Sequence, residues 1–211
     1  MIKRRSVLAA LVAAAAGSQL VPRVLAAADA AAVRPIPWRN WSGSQQCLPA
    51  ARSAPATVAE LQELITSAKG TVRAVGAGHS FTPLVPTDGT IVSLSRISGL
   101  VSHDSQTLQA TPWAGSRLGD IGQPLEDAGQ ALVNMPDIDE QTLAGCLATA
   151  THGTGAGIGC MSTFIEGLQL VDARGDLVDC DANNNPELFQ AAKVSLGALG
   201  VARVDVRIGD R

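Results

Sequence analysis

The sequence predicts an α+β fold, and three features predict it. A helix, a strand and a glycine-rich loop follow one another between Thr57 and Ser80, which starts the chain in a parallel arrangement. Further on, two strand-like segments flank the turn Arg174-Gly175-Asp176 and read as an antiparallel hairpin. This mixture argues against a purely doubly wound sheet. Finally, 211 residues at 46% hydrophobic and 17% charged hold one well-buried domain, with or without a leader, but not two large ones. Gly and Ala are abundant and only six residues are aromatic, so the core is built from small aliphatic side chains.

The first residues read as a targeting segment to be excluded from the fold. Lys3-Arg4-Arg5-Ser6-Val7-Leu8 leads into an apolar run from Ala9 to Ala16, followed by Ala-rich residues from Leu25 to Ala32. A membrane anchor is the competing reading. Gly17, Ser18, Gln19, Pro22 and Arg23 stop the run well short of the ~20 residues a span needs, so no stable membrane span is expected. Arg4-Arg5 before a modestly hydrophobic stretch resembles a twin-arginine signal, an address for proteins exported already folded. The expectation is a signal at 1–32, export by that route to the periplasm or beyond, and a domain over 33–211. A general secretory signal or a chance Arg pair is the alternative.

After the leader, Pro35 and Pro37 form a stiff approach to Trp38-Arg39-Asn40-Trp41. Thr57-Val58-Ala59-Glu60 is a capping box that opens an amphipathic helix to about Lys69, with Leu61, Leu64, Ile65 and Ala68 on one face. Gly70 stops it. Thr71 to Val75 then reads as a short buried strand feeding Gly76-Ala77-Gly78-His79-Ser80. Strands are expected at 90–94 and 107–111, and Ser116 is expected to cap a helix running to about Asp127, stopped by Gly129. The stretch from Asn134 to Gly159 lacks a period and is rich in Gly, Ala and Thr, so it reads as an extended loop with at most a short helix. Strands follow at 164–172 and 177–180, a helix at Pro186 to Lys193 with Pro at its start, and a last alternating strand at 201–208.

Charge and composition exclude several functions. The net charge is -3, and without residues 1–32 the balance is 12 basic against 18 acidic, formally -6. No lysine-arginine cluster lies outside the leader, so no nucleic-acid partner is expected, and small neutral substrates suit the surface better than polyanions. Cys47, Cys146, Cys160 and Cys180 show no metal spacing; buried free thiols are favoured over disulfides if folding finishes in a reducing compartment. Three scattered histidines add no zinc pattern, and no metal is expected.

Two loops carry chemistry. Gly76-Ala77-Gly78 opens like a dinucleotide fingerprint, but its third glycine would fall at Phe81, and Pro83 and Pro86 rule out a following helix. What stands is a strand end whose bare backbone approaches a phosphate or ring closely, with His79 set immediately after it. A lone His is more often a surface or hydrogen-bonded residue. The second loop, Gln141-Thr142-Leu143-Ala144-Gly145-Cys146-Leu147-Ala148-Thr149-Ala150-Thr151-His152-Gly153-Thr154-Gly155, is more distinctive. Small residues let its backbone lie against a ligand, and threonine hydroxyls with free amides suit a pyrophosphate. A Gly/Ala turn packed on a sheet is the bland alternative.

Together, Val75-Gly76-Ala77-Gly78-His79-Ser80 and Thr149-Ala150-Thr151-His152-Gly153-Thr154-Gly155 resemble the PCMH-type FAD-binding domain of the vanillyl-alcohol oxidase flavoprotein family, in its aldonolactone oxidase and alditol oxidase branch. Trp38-Arg39-Asn40-Trp41 and Ser195-Leu196-Gly197-Ala198-Leu199-Gly200-Val201 support the match, which runs from about Pro37 to Ile208. The resemblance implies a small, mostly parallel sheet beside a larger mixed or antiparallel sheet with flanking helices. It implies FAD as cofactor, linked covalently through His79 to the 8α carbon. Gly76, Ala77, Gly78, Ser80 and Phe81 would then wrap the diphosphate and ribityl region. Thr142, Gly145, Thr149, Ala150, Thr151 and His152 would form the second FAD loop, with the Val201 backbone near the adenine.

The implied activity is oxidation of a CH–OH group in a sugar lactone or polyol, as in a D-arabinono-1,4-lactone oxidase, with molecular oxygen as acceptor. Pro136, where several relatives carry Gly before Asp-Ile-Asp, leans towards oxidase over dehydrogenase. Gly159-Cys160-Met161-Ser162 does not match a second covalent flavin link, so an unlinked thiol is expected at Cys160. Family members continue into a substrate domain that supplies the catalytic base and substrate clamp. The expectation is therefore a truncated chain, or an FAD-binding module without independent catalysis whose partner chain supplies that domain.

Overall fold

A computed structural model of the chain describes residues 36–200 and 202–210; the leader expected at 1–32 and Val201 lie outside the described residues. A two-stranded antiparallel ribbon, β1 (Trp38–Arg39) with β2 (Gln46–Cys47), precedes two larger sheets. The first is parallel, with β3 (Ala51–Ser53), β4 (Val72–Val75) and β5 (Thr90–Ser93) in the order β3-β5-β4. Helix α1 (Val58–Ser67) carries the chain from β3 to β4. Its cap forms as the capping box predicts at one end: Thr57 Oγ1 accepts the Glu60 amide at 3.1 Å. The return bond lands one residue early, because the Glu60 carboxylate accepts the Ala56 amide at 2.8 Å. Leu61 buries α1 against Val92, Ile97 and Val171.

β4 is not the buried strand that its apolar ends predict. Arg73 and Ala74 are exposed, because the strand order puts β4 at an edge, and edge position is a property of topology that local hydrophobicity does not encode.

The second sheet is antiparallel throughout. It comprises β6 (Leu100–Asp104), β7 (Gln109–Pro112), β8 (Gln130–Leu132), β9 (Ile165–Val171), β10 (Leu177–Asp181) and β11 (Arg203–Asp210), ordered β10-β9-β11-β7-β6 with β8 also on β11. The β9–β10 hairpin forms as expected, with Val171 opposite Leu177, Gly175 at φ +83° and the Asp172 carboxylate accepting the amides of Arg174 and Asp176. Along β11, Val204, Val206 and Ile208 point into the core and Arg203, Asp205 and Arg207 do not. The strand starts and ends two residues later than its alternation predicts.

Helices α2 (Leu118–Asp127), α3 (Leu143–Ala148) and α4 (Pro186–Lys193) close the core over this sheet. Leu118, Ile121 and Leu125 of α2 and Leu143, Cys146 and Leu147 of α3 are all buried to 1% exposure or less. Each such aliphatic side chain contributes about 1.5–3 kcal/mol, so these two helices are held by packing more than by propensity. Ser116 does not cap α2 as expected. It is fully buried and its hydroxyl accepts the Gly99 amide at 2.8 Å, leaving Arg117 at the N-cap with no side-chain cap bond. The bounds of α4 are those predicted, with Pro186 in its first turn after Asn185 at φ +51°. The Asn134 to Gly159 stretch is irregular apart from α3.

Candidate cofactor site

A cleft of about 590 Å³ lies beside β4, within the size range of cofactor pockets. Its walls are β4 and the following loop from Gly76 to Ser80, the face of α3 carrying Ala144, Leu147 and Ala148, and the Ser195 to Gly200 loop after α4. The ionisable side chains among its described lining residues are Arg73, His79 and Asp172. The rest of the lining is mostly small residues and aliphatic side chains such as Leu61, Ile65, Val92 and Leu147, a surface that recognises a ligand by shape, apolar contact and amide donors.

The two predicted loops meet here. A Cβ on Gly76 would collide with Thr142 Oγ1, so only glycine lets the β4 loop pass this close to α3. Thr142 is 8% exposed, and its hydroxyl caps α3 by accepting the Gly145 amide at 3.3 Å. Gly78 at φ +73° turns the chain in the left-handed region that favours glycine, and this turn delivers His79 to the cleft wall.

His79 is held from outside the cleft. The Trp41 amide donates to the Gly78 carbonyl at 2.8 Å, and the indole stacks on the imidazole with centroids 5.3 Å apart and planes inclined by 27°. The Asn40 amide group donates to the Ser80 carbonyl at 3.0 Å, and Gln45 Nε2 donates to the Phe81 carbonyl at 3.2 Å. Nδ1 of His79 is buried with no hydrogen-bond partner among the described residues.

Gly76, Ala77, Gly78, His79, Ser80, Thr142, Gly145 and Thr149 all line the cleft. Four other expected site residues do not. Phe81 is 66% exposed and lies beyond the clamped carbonyl. Ala150, Thr151 and His152 turn away after α3: Ala150 sits at φ +54°, the Thr151 carbonyl accepts the Met161 amide at 2.8 Å, and His152 is exposed with Nδ1 2.8 Å from the Gly153 carbonyl. The chain reverses at Ala150 to dock on the 3-10 turn Met161–Phe164, which carries the rest of the motif past the cleft.

Sequence reasoning missed Ala114 and Gly115, which line the floor. A Cβ on Gly115 would overlap the Leu94 carbonyl, and the Ala114 carbonyl accepts the Ala144 amide at 2.9 Å. An isolated Ala-Gly pair between two elements carries no periodic signal. The clamp residues Asn40 and Gln45 were also missed.

All four cysteines are free thiols, Cys146 and Cys180 being buried. Burial pushes the Cys146 thiol up to about 12. Among the described residues no cluster of His, Cys, Asp and Glu is placed to hold a metal, and no helix is long and apolar enough to cross a membrane.

A histidine on a glycine loop at the wall of a cleft of this size fits a large planar cofactor with a phosphate tail. Residues 49–181 match the profile of a protein family described as FAD binding domain. The chain belongs to this FAD-binding family. It is 40% identical over 167 residues to an L-gulono-1,4-lactone dehydrogenase of Mycobacterium tuberculosis, covering 78% of this chain and 38% of the relative. It is 32% identical over 169 residues to an L-gulonolactone oxidase of Bos taurus (79% and 38%) and 35% identical over 170 residues to a D-arabinono-1,4-lactone oxidase of Yarrowia lipolytica (77% and 32%). The chain spans less than two fifths of the length of these curated relatives.

Proposed function

We propose that the protein is an FAD-dependent oxidoreductase acting on a CH–OH group of a sugar lactone or alditol, with oxygen as acceptor, and that His79 holds FAD covalently. The observation that carries the proposal is the placement of His79, set by the Gly78 turn at the wall of a cleft lined by glycine backbone. When bound, FAD supplies the two-electron acceptor that the side chains of this chain lack. The Gly76 to Ser80 backbone would cradle the diphosphate and ribityl portion, with Phe81 at its outer margin. Thr142, Gly145 and Thr149 would face it across the cleft, and Ala150, Thr151 and His152 shape the loop behind them.

Covalent attachment joins a ring nitrogen of His79 to the 8α carbon. The imidazole N–H and one methyl C–H are lost, one C–N bond forms, and the two hydrogens end on molecular oxygen as hydrogen peroxide. In turnover, a base removes the substrate hydroxyl proton as the C–H hydrogen leaves with its electron pair. Neither base nor substrate clamp is assigned to the described residues, and a substrate domain, in the same polypeptide or a partner chain, is proposed to supply them. Pro136 is proposed to leave oxygen access open.

Peroxide release by the purified protein with L-gulono-1,4-lactone, D-arabinono-1,4-lactone, xylitol and sorbitol tests the activity. Release with at least one of them is expected when the substrate domain, in the same polypeptide or a partner chain, is present. Bound FAD with no peroxide, and no substrate-dependent bleaching without oxygen, supports instead a cofactor-holding module. The scarcity of ionisable groups along the cleft favours that second reading.

Export by the twin-arginine route is proposed from Arg4-Arg5 and the apolar run after them. Fractionation of cells expressing wild type and Arg4→Lys/Arg5→Lys tests it: the variant is expected to stay in the cytoplasm, and unchanged export contradicts the route.

A further inference from the structure

We infer that Trp41 is a positioning residue for His79, held by Asn40, and that it sets the plane in which the imidazole meets the flavin; this rests on the covalent link proposed above. A histidine that follows a glycine at φ +73° is poorly restrained by its own backbone. Here the restraint comes from another segment. The carbonyls on both sides of His79, of Gly78 and Ser80, are tied to two consecutive residues, Trp41 and Asn40.

Asn40 is built for this task. It is 5% exposed, its Oδ1 accepts the Gln45 amide at 3.0 Å, and its Nδ2 reaches Ser42 Oγ at 3.2 Å and Ser44 Oγ at 3.1 Å besides the Ser80 carbonyl. The buried Asn40 side chain is thus anchored at both of its polar atoms, which restrains it. Trp41, by contrast, is 69% exposed, so its indole is not placed to fill the core. Its ring contact is His79, and it does not line the cleft as His79 does, which puts the indole behind the imidazole. An aromatic pair of this kind biases the ring roughly two- to tenfold towards one orientation. Bond formation depends steeply on such alignment.

The test uses the full chain, produced without flavin and mixed with FAD. Total bound FAD is read from fluorescence quenching, and covalent FAD from colour that stays with acid-precipitated protein. Trp41→Ala is expected to bind FAD as wild type does while acid-stable colour appears roughly two- to tenfold more slowly, and Trp41→Phe to restore the rate. Asn40→Asp keeps the acceptor for Gln45 and removes the donor to Ser80. In the apo chain it is expected to collapse the ring-current shift that the indole imposes on the His79 ring protons.

Attachment in Trp41→Ala at the wild-type rate overturns the inference and leaves the covalent link standing. Loss of FAD binding in Trp41→Ala also overturns it, because Trp41 would then be a binding contact. Ring-proton shifts unchanged in Asn40→Asp overturn the role of Asn40. A wild-type chain that takes up FAD but never holds it through acid overturns the covalent link, and the inference with it.

Discussion

Gly76 and Thr142 occupy adjoining space so fully that a Cβ on one would overlap the hydroxyl of the other. The same hydroxyl caps α3, so the loop carrying His79 and the helix across the cleft share one atom.

Substitution at Gly76 should therefore affect both features, and substitution at Thr142 chiefly the helix cap. Gly76→Val displaces Thr142, removing a cap worth about 1 kcal/mol and blocking the cleft. The melting temperature is expected to fall by roughly 2–4 °C and FAD uptake to be lost. Thr142→Ala should show the melting shift while retaining most FAD uptake, measured by calorimetry and flavin fluorescence. Wild-type behaviour of Gly76→Val would show that the two loops are not in contact.

Cys146 should be chemically silent in the folded chain. With its thiol pushed up to about 12 by burial, the thiolate that reacts with iodoacetamide is roughly one part in ten thousand at pH 8. Mass spectrometry of labelled peptides is expected to find Cys47 and Cys160 alkylated first, and Cys146 only after denaturation. Early labelling of Cys146 would contradict its burial.

Asp172 should give the β9–β10 hairpin an acid sensitivity. The Asp176 amide, and then that of Arg174, hold its carboxyl below the usual carboxylate range. A depressed folded value favours the ionised form in the native state. Its contribution is then present above the ordinary value of about 3.9 and is lost as pH falls below it. Asp172→Asn is expected to lower the melting temperature at neutral pH and to match wild type near pH 2. An equal deficit at both pH values would rule out the charge as the cause.

Much of this architecture was legible where one residue type determines local geometry. Pro186 marks the start of α4, Thr57 the cap of α1, and Gly175 the turn between β9 and β10. The His79 loop was legible for the same reason, since Gly76 and Gly78 are demanded by contact and by φ. What escaped was decided at long range. Strands β1, β2, β3 and β8 have two or three residues each, too few to show alternation. Ser116 has the chemistry of a cap but is used by Gly99 on a distant turn. Asn40 and Ser80 are joined across 40 residues, a pairing that only the fold creates.

The central claim is that His79 carries FAD, and the intact mass of the denatured, purified protein tests it most directly. Wild type is expected to be heavier than its polypeptide by one FAD less two hydrogens, with the increment mapping to the peptide containing His79, and His79→Ala to have the bare polypeptide mass. A wild-type protein that binds FAD in solution yet shows no increment, or a His79→Ala protein that keeps it, would contradict the claim.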